Sequence, residues 1–160
     1  MDIGIPKEIR GREHRVALAP SGVKALTQAG ARVWVQKDAG VEAGFFDADF
    51  ERAGATTVYS RGEVFGRSEL VVGINAPEPA EYESLVPGQA VVAFWGLPAA
   101  RPEDFRSLLE REVTAIGGLT VGADPVAYGV AALAAARGRD IRSFTIRKEA
   151  KDHGVAGRLA

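Results

Sequence analysis

The sequence predicts an α/β fold: a single three-layer, doubly wound, mostly parallel sheet of the Rossmann-like or flavodoxin-like kind, in one domain over residues 1–160. Three observations predict it. Short runs rich in Val and Ile alternate with segments of helical periodicity, as in successive βαβ units. The connections are short, as a sheet covered on both faces requires. Glycine and proline punctuate the ends of these runs.

The elements follow in order. Asp2-Ile3-Gly4-Ile5 reads as the first strand. A helix over 21–29 follows, with Ser21 as N-cap and Gly30 as its left-handed end. Arg32–Gln36 is the second strand. Asp47 is expected to cap a helix over 48–53 that Gly54 closes. A third strand over 56–59 and a helix over 61–65 come next. Strands over 70–74 and 89–95 contain Val71-Val72 and Val91-Val92-Ala93-Phe94-Trp95, continuous apolar runs that suit central positions. Between them, a helix over 81–85 exposes Glu81 and Glu83.

Pro102 and Pro125 fit the first turns of helices over 102–111 and 125–137, where a missing N–H costs nothing. The second helix, closed by Gly138, is apolar on every face and is expected to be buried. The strands over 113–116 and 141–147 flank it, the last mixing Ile and Phe with Arg, Ser and Thr as an edge strand does. The whole sheet should hold roughly six or seven strands.

Composition narrows the function classes. A net charge of -1 provides no field to gather nucleic acid or an anionic membrane. The end of the chain is locally basic, with Arg137, Arg139, Arg142, Arg147, Lys148, Lys151 and Arg158 against Asp140, Glu149 and Asp152. The absence of cysteine excludes disulfides and thiolate chemistry. Two histidines far apart, His14 and His153, argue against zinc, and no metal is expected. No signal-peptide pattern opens the chain, and no apolar run approaches about 18 residues, so a cytoplasmic protein is expected. Trp34 and Trp95 fall in strands and read as packing residues, and His14 as a solvated loop residue.

The opening Ile3-Gly4-Ile5-Pro6-Lys7-Glu8-Ile9-Arg10, then Glu13-His14-Arg15-Val16-Ala17-Leu18-Ala19-Pro20, carries a resemblance. Ala39-Gly40, Ala43-Gly44-Phe45 and Ala53-Gly54-Ala55 continue it. Residues 1–116 resemble the N-terminal domain of alanine dehydrogenases and of the alpha subunit of proton-translocating NAD(P) transhydrogenases. The resemblance implies that Arg15 is a substrate-binding, carboxylate-holding arginine. It also implies a substrate-binding lysine after the fourth strand and a catalytic histidine after the fifth, but Asn75 and Gly96 stand there, as in the transhydrogenase branch. Asparagine brings no cationic charge to a keto acid, and glycine moves no proton. The Gly-x-Gly-x-x-Gly turn of the family's separate NAD domain is absent, so no cofactor is expected on this chain alone.

From Gly117 the text changes. Gly117-Gly118-Leu119-Thr120-Val121-Gly122-Ala123-Asp124-Pro125 places a glycine-rich turn between a strand and a helix N-terminus, which reads as a phosphate cradle or as a tight turn capped by Asp124. Arg147-Lys148-Glu149-Ala150-Lys151-Asp152-His153-Gly154 follows. Residues 117–160 resemble the pyrophosphate loop and mobile catalytic loop of orotate phosphoribosyltransferases. The resemblance implies phosphate or pyrophosphate binding by Gly118, Thr120, Gly122, Asp124, Arg147 and Lys148, with Lys148, Lys151 and His153 as vestigial catalytic groups. The paired acids of that family's ribose loop are missing.

Taken together, the sequence is expected to be a chimeric or engineered fold with no complete active site and no native catalysis. Two alternatives stand beside it. One is a weak anion- or pyrophosphate-binding module; the other is a transhydrogenase or alanine dehydrogenase-type fragment that needs a partner NAD domain. In each case the chain is expected to be a monomer or a homodimer.

Overall fold

Ile3 and Ile5 alternate with Gly4 along the first strand, and this period of two decides which helix covers which face. The computed structural model describes residues 1–94, 115–119, 132, 134–136, 138 and 140–146. The chain divides into two compact units, Met1–Gly96 and Leu97–Ala160. In the first, β1 (Asp2–Ile5), β2 (Arg32–Gln36), β3 (Thr56–Val58), β4 (Leu70–Asn75) and β5 (Ala90–Phe94) form one sheet in the order β3-β2-β1-β4-β5. Every pair is parallel. This is the Rossmann order, not the flavodoxin one, and its direction of winding reverses between β1 and β4.

Ile3, Ile5, Val33 and Val35 point to one face, where they pack with Val23 of α1 (Pro20–Gln28) and Phe50 of α2 (Asp47–Arg52). Burying each such side chain contributes about 1.5–3 kcal/mol. The other face is covered by α3 (Arg61–Arg67), whose Val64 and Phe65 are buried. At Gly4 the approach of α3 is too close for a side chain. A Cβ there would stand 2.2 Å from Ser68 Oγ and 2.6 Å from Val64 Cγ1. With helices on both faces of a parallel sheet, the α/β class expected from the sequence holds, and this unit has three layers.

Several boundaries differ from those expected. Pro20 takes the first position of α1 and Ala19 the N-cap, so Ser21 lies inside the helix. Phe46, not Asp47, caps α2, and the Asp49 carboxylate accepts the Phe46 N–H at 2.8 Å. Asp47 instead accepts the Asp38 N–H at 2.9 Å. Gly30 and Gly54 hold left-handed φ of 86° and 92°, as their C-terminal places require. The segment expected as a helix over 81–85 is a 3-10 helix over Pro79–Ser84. Within it Glu81 is not exposed: only 13% of its side chain is accessible, because Arg61 holds it. Among the described residues, the apolar run in β5 lies at the end of the strand order rather than at its centre, and Val91–Ala93 are half-buried.

In the second unit, β6 (Ala115–Leu119) and β7 (Arg142–Ile146) pair in parallel as a two-stranded sheet. The described strands therefore fall in a five-stranded and a two-stranded sheet, not in one of roughly six or seven. Ala132, Ala134 and Ala135 are helical, and Gly138 closes the segment with φ 73°. Ala134 is fully buried, but Ala132, Ala135 and Ala136 are exposed, which corrects the expectation of burial on every face. Alanine favours the helix and loses little when left in water, so an all-alanine face does not require a cover. The helix expected over 102–111 lies outside the described residues, as does Trp95.

Candidate functional site at the switch point

Open α/β sheets bind ligands outside the carboxyl ends of their strands where the winding reverses. Here that place lies between the ends of β1 and β4, under the long segment 6–19 that connects β1 to α1. The segment is pinned rather than loose. Arg61 donates to the Lys7 carbonyl and pairs with Glu81. Lys7 N–H reaches the Gln36 side-chain oxygen at 2.9 Å. Arg12 adopts a left-handed φ of 79°, and the Glu13 N–H bonds the Arg10 carbonyl at 3.0 Å, turning the chain back toward β4.

Two carboxylates result at the end of β4. Glu8 accepts the backbone N–H of Ile74 at 2.6 Å and the side-chain amide of Asn75 at 2.9 Å. The same amide nitrogen lies 3.4 Å from Glu13 Oε2. The β4–β5 register shifts between Val72 and Asn75, so the strand end is irregular where these bonds form. Gly73 sits in the bend, where a Cβ would come 3.1 Å from the Asn75 carbonyl.

Arg15 closes the group. Its Nε and a terminal nitrogen donate to the two oxygens of Glu13 at 2.8 and 2.7 Å, a forked pair. The Arg15 side chain is 67% exposed while the Glu13 side chain is 13% exposed. These bonds hold the Glu13 carboxyl down at about 2, so it stays ionised, and they push the Arg15 guanidinium further up. His14 points away to Glu42 in the turn before α2 and is 67% exposed.

Of the residues expected to act, Arg15 therefore reaches the switch point and meets Asn75 there through Glu13. Gly118 does not lie in a loop. It is inside β6, paired in register with Thr145, because the strand runs on through Gly117 and Gly118 to Leu119. Thr120, Gly122, Asp124, Arg147, Lys148, Lys151 and His153, and Gly96, lie outside the described residues. The sequence assigns no role to Glu8, Glu13 or Arg61 and reads Glu81 as an exposed residue. The first two stand within the motifs quoted above, where acids beside an arginine were the available signal. Among the described residues no group of three or more His, Asp or Glu could hold a metal, and no helix is long and apolar enough to cross a membrane.

The family described as "Alanine dehydrogenase/PNT, N-terminal domain" matches residues 4–136. An alanine dehydrogenase of Methanococcus maripaludis is 36% identical over 121 residues, which are 76% of this chain and 32% of the relative. The chain thus spans about a third of the length of such a relative. A solved L-alanine dehydrogenase superposes with a TM-score of 0.60 at 25% identity, covering 93% of this chain and 61% of the other. The transhydrogenase from Sinorhizobium meliloti gives 0.65 at 24% identity over 71% of this chain and 32% of its own, a likeness of fold.

Proposed function

The chain belongs to the alanine dehydrogenase/PNT N-terminal domain family, and from that premise we propose that residues 1–96 are the substrate-side half of a transhydrogenase-type enzyme, without keto-acid reduction of their own. One observation carries this reading: Arg15 is already engaged by Glu13, and its neighbour at the switch point is the neutral amide of Asn75. Reducing a keto acid needs a cation to fix the carboxylate and an acid to protonate the new alkoxide. Asn75 offers neither, and His14 is turned to Glu42.

The residues at this edge do not fit a dinucleotide. A pyrophosphate cradle needs glycine N–H groups at a helix start directly after the strand. Here β1 runs into Pro6-Lys7-Glu8, whose carboxylate faces the strand ends, and α1 begins later at Pro20. A nicotinamide-binding domain would have to come from outside residues 1–96.

The test has two arms. The purified chain with reduced nicotinamide, pyruvate and ammonium should show no oxidation of the nicotinamide. Mixed with an isolated nicotinamide-binding domain of a relative, it should co-elute on gel filtration. Turnover of pyruvate by the chain alone would overturn the reading, as would the absence of any complex.

A second reading concerns residues 117–160 and keeps the chimeric origin as a proposal. It holds that this segment descends from a phosphoribosyltransferase and retains weak pyrophosphate binding. The run Arg147-Lys148…Lys151…His153 supports it, as does the parallel β6–β7 pair with helical residues between. Because the family match reaches residue 136, the weight rests on that basic run rather than on the glycine turn. Titration with pyrophosphate tests it, and no heat at millimolar ligand removes it.

A further inference from the structure

At the switch point two donors from different elements converge on one carboxylate, and the carboxylate is the protein's own. Arg15, from the segment after β1, grips both oxygens of Glu13 at 2.7 and 2.8 Å. Asn75, from the end of β4, brings its amide nitrogen to 3.4 Å from one of them. A guanidinium fork with a second N–H donor beside it is the donor set that recognises a planar carboxylate. We propose that Glu13 is a built-in occupant of this crevice, an autoinhibitory side chain that a free small carboxylate must displace to reach Arg15 and Asn75.

Three features make displacement feasible. The Arg15 side chain is 67% exposed, so a ligand can approach it from solvent. Glu13 and Arg15 are two residues apart on one connecting segment, so the pair can part without moving the sheet. The Arg15 side of the pair is open to water, which weakens its hold. Glu8, by contrast, is fixed by the backbone of Ile74 and the Asn75 amide, so it keeps Asn75 in place when Glu13 leaves. Ionised down to about 2, Glu13 also repels other anions at any ordinary pH. The crevice therefore excludes weak carboxylate ligands until Glu13 is drawn away.

The proposal rests on reading residues 1–96 as a substrate-side half, and its test uses no nicotinamide, so the two fail separately. Acetate and pyruvate are titrated into the full chain while the Arg15 Nε–H resonance is followed by NMR. Glu13→Gln, which keeps the shape and removes the charge, should bind both at least about fivefold more tightly than the parent chain. Glu13→Ala serves if the glutamine still occupies the fork. Adding Arg15→Ala to either variant should abolish the gain. Equal or weaker binding in both Glu13 variants would overturn the proposal and make Glu13 a positioning residue for Arg15. A gain that survives Arg15→Ala would overturn it as well.

Discussion

Glu8 and Asn75 are joined by two kinds of bond at the seam between β1 and β4: the Glu8 carboxylate takes the Asn75 side-chain amide at 2.9 Å and approaches its backbone N–H at 3.3 Å. With the Ile74 N–H at 2.6 Å, one carboxylate gathers donors at the irregular end of β4, where the register with β5 shifts.

Removing that acceptor should be costly. Glu8→Ala leaves half-buried N–H groups unpaired and is expected to lower stability by about 1–3 kcal/mol. Glu8→Gln keeps one acceptor oxygen and should lose less. Urea unfolding midpoints of the three chains decide it, and a midpoint unchanged in Glu8→Ala would mean that water replaces the carboxylate freely.

Gly4 gives a prediction of a different kind. Its side-chain position is already filled by Ser68 and Val64 of the opposite wall. Gly4→Ala should therefore push α3 off the sheet and cost about 1–3 kcal/mol, read as a fall in melting temperature. Adding Val64→Ala should return part of the loss. If the double variant is simply the sum of two losses, the contact with Val64 is not what excludes the side chain.

Much of this was legible in the sequence, for physical reasons that differ by element. The strands β1 and β2 were readable to the residue, because a period of two is written directly into Ile3-Gly4-Ile5 and Val33-Trp34-Val35. The left-handed ends at Gly30 and Gly54 were readable because few other residues tolerate that backbone. The strand order was not, since pairing of β1 with β4 is a long-range matter that no local pattern encodes. At the site, Arg15 was visible from its motif. That Glu13 and Asn75 would close around it needed the fold, because they are brought together across 62 positions of sequence. The shift of Gly117 and Gly118 from loop into β6 has the same source: glycine marks a turn only when no neighbouring strand claims its backbone.

The acid limb of the stability curve should carry a signature of Glu13. Its folded value of about 2 lies below the ordinary 4.5, chiefly because Arg15 donates to it. A lowered carboxyl stabilises the fold above the ordinary value, and that contribution fades as pH falls through the folded one. Arg15→Ala leaves the backbone N–H at position 15 and the Asn75 amide in place, so it should raise the Glu13 titration toward the ordinary carboxylate range and remove the larger part of the acid dependence between about 4.5 and about 2. Side-chain NMR titration of Glu13 in the two chains checks it. A Glu13 that still titrates near 2 without Arg15 would mean that other donors hold it down.

The capping box of α3 makes a local prediction. Ser60 Oγ accepts the Glu63 N–H at 3.1 Å, and the Glu63 carboxylate reaches back to the N–H groups of Tyr59 and Ser60 at 2.9 and 3.2 Å. Those two backbone bonds are the main cause that holds the Glu63 carboxyl below its ordinary range, with Arg67 adding to it. Ser60→Ala is expected to cost about 1 kcal/mol in urea unfolding. Glu63→Gln should flatten the stability profile below the ordinary carboxylate range, where the parent loses its contribution. Were Ser60→Ala neutral, the Glu63 carboxylate alone would be sufficient to start the helix.

Trp34 offers the opposite sign. Its ring lies on the α3 face of β2 with the Arg67 guanidinium 5.2 Å above it, yet its indole Nε1 is buried without a hydrogen-bond partner among the described residues. A buried donor left unpaired costs roughly 1–3 kcal/mol, while the stacked cation returns only about 0.5–1 kcal/mol, and Phe would keep part of that. Trp34→Phe removes the orphaned donor and some apolar area together. It should therefore fall within about 1 kcal/mol of the parent, well short of the 3–5 kcal/mol typical of emptying an aromatic site. Trp34→Ala should show that larger loss. Comparing the two by denaturant unfolding separates the ring from its N–H, and a Phe variant as damaged as the Ala variant would mean that the indole nitrogen has a partner.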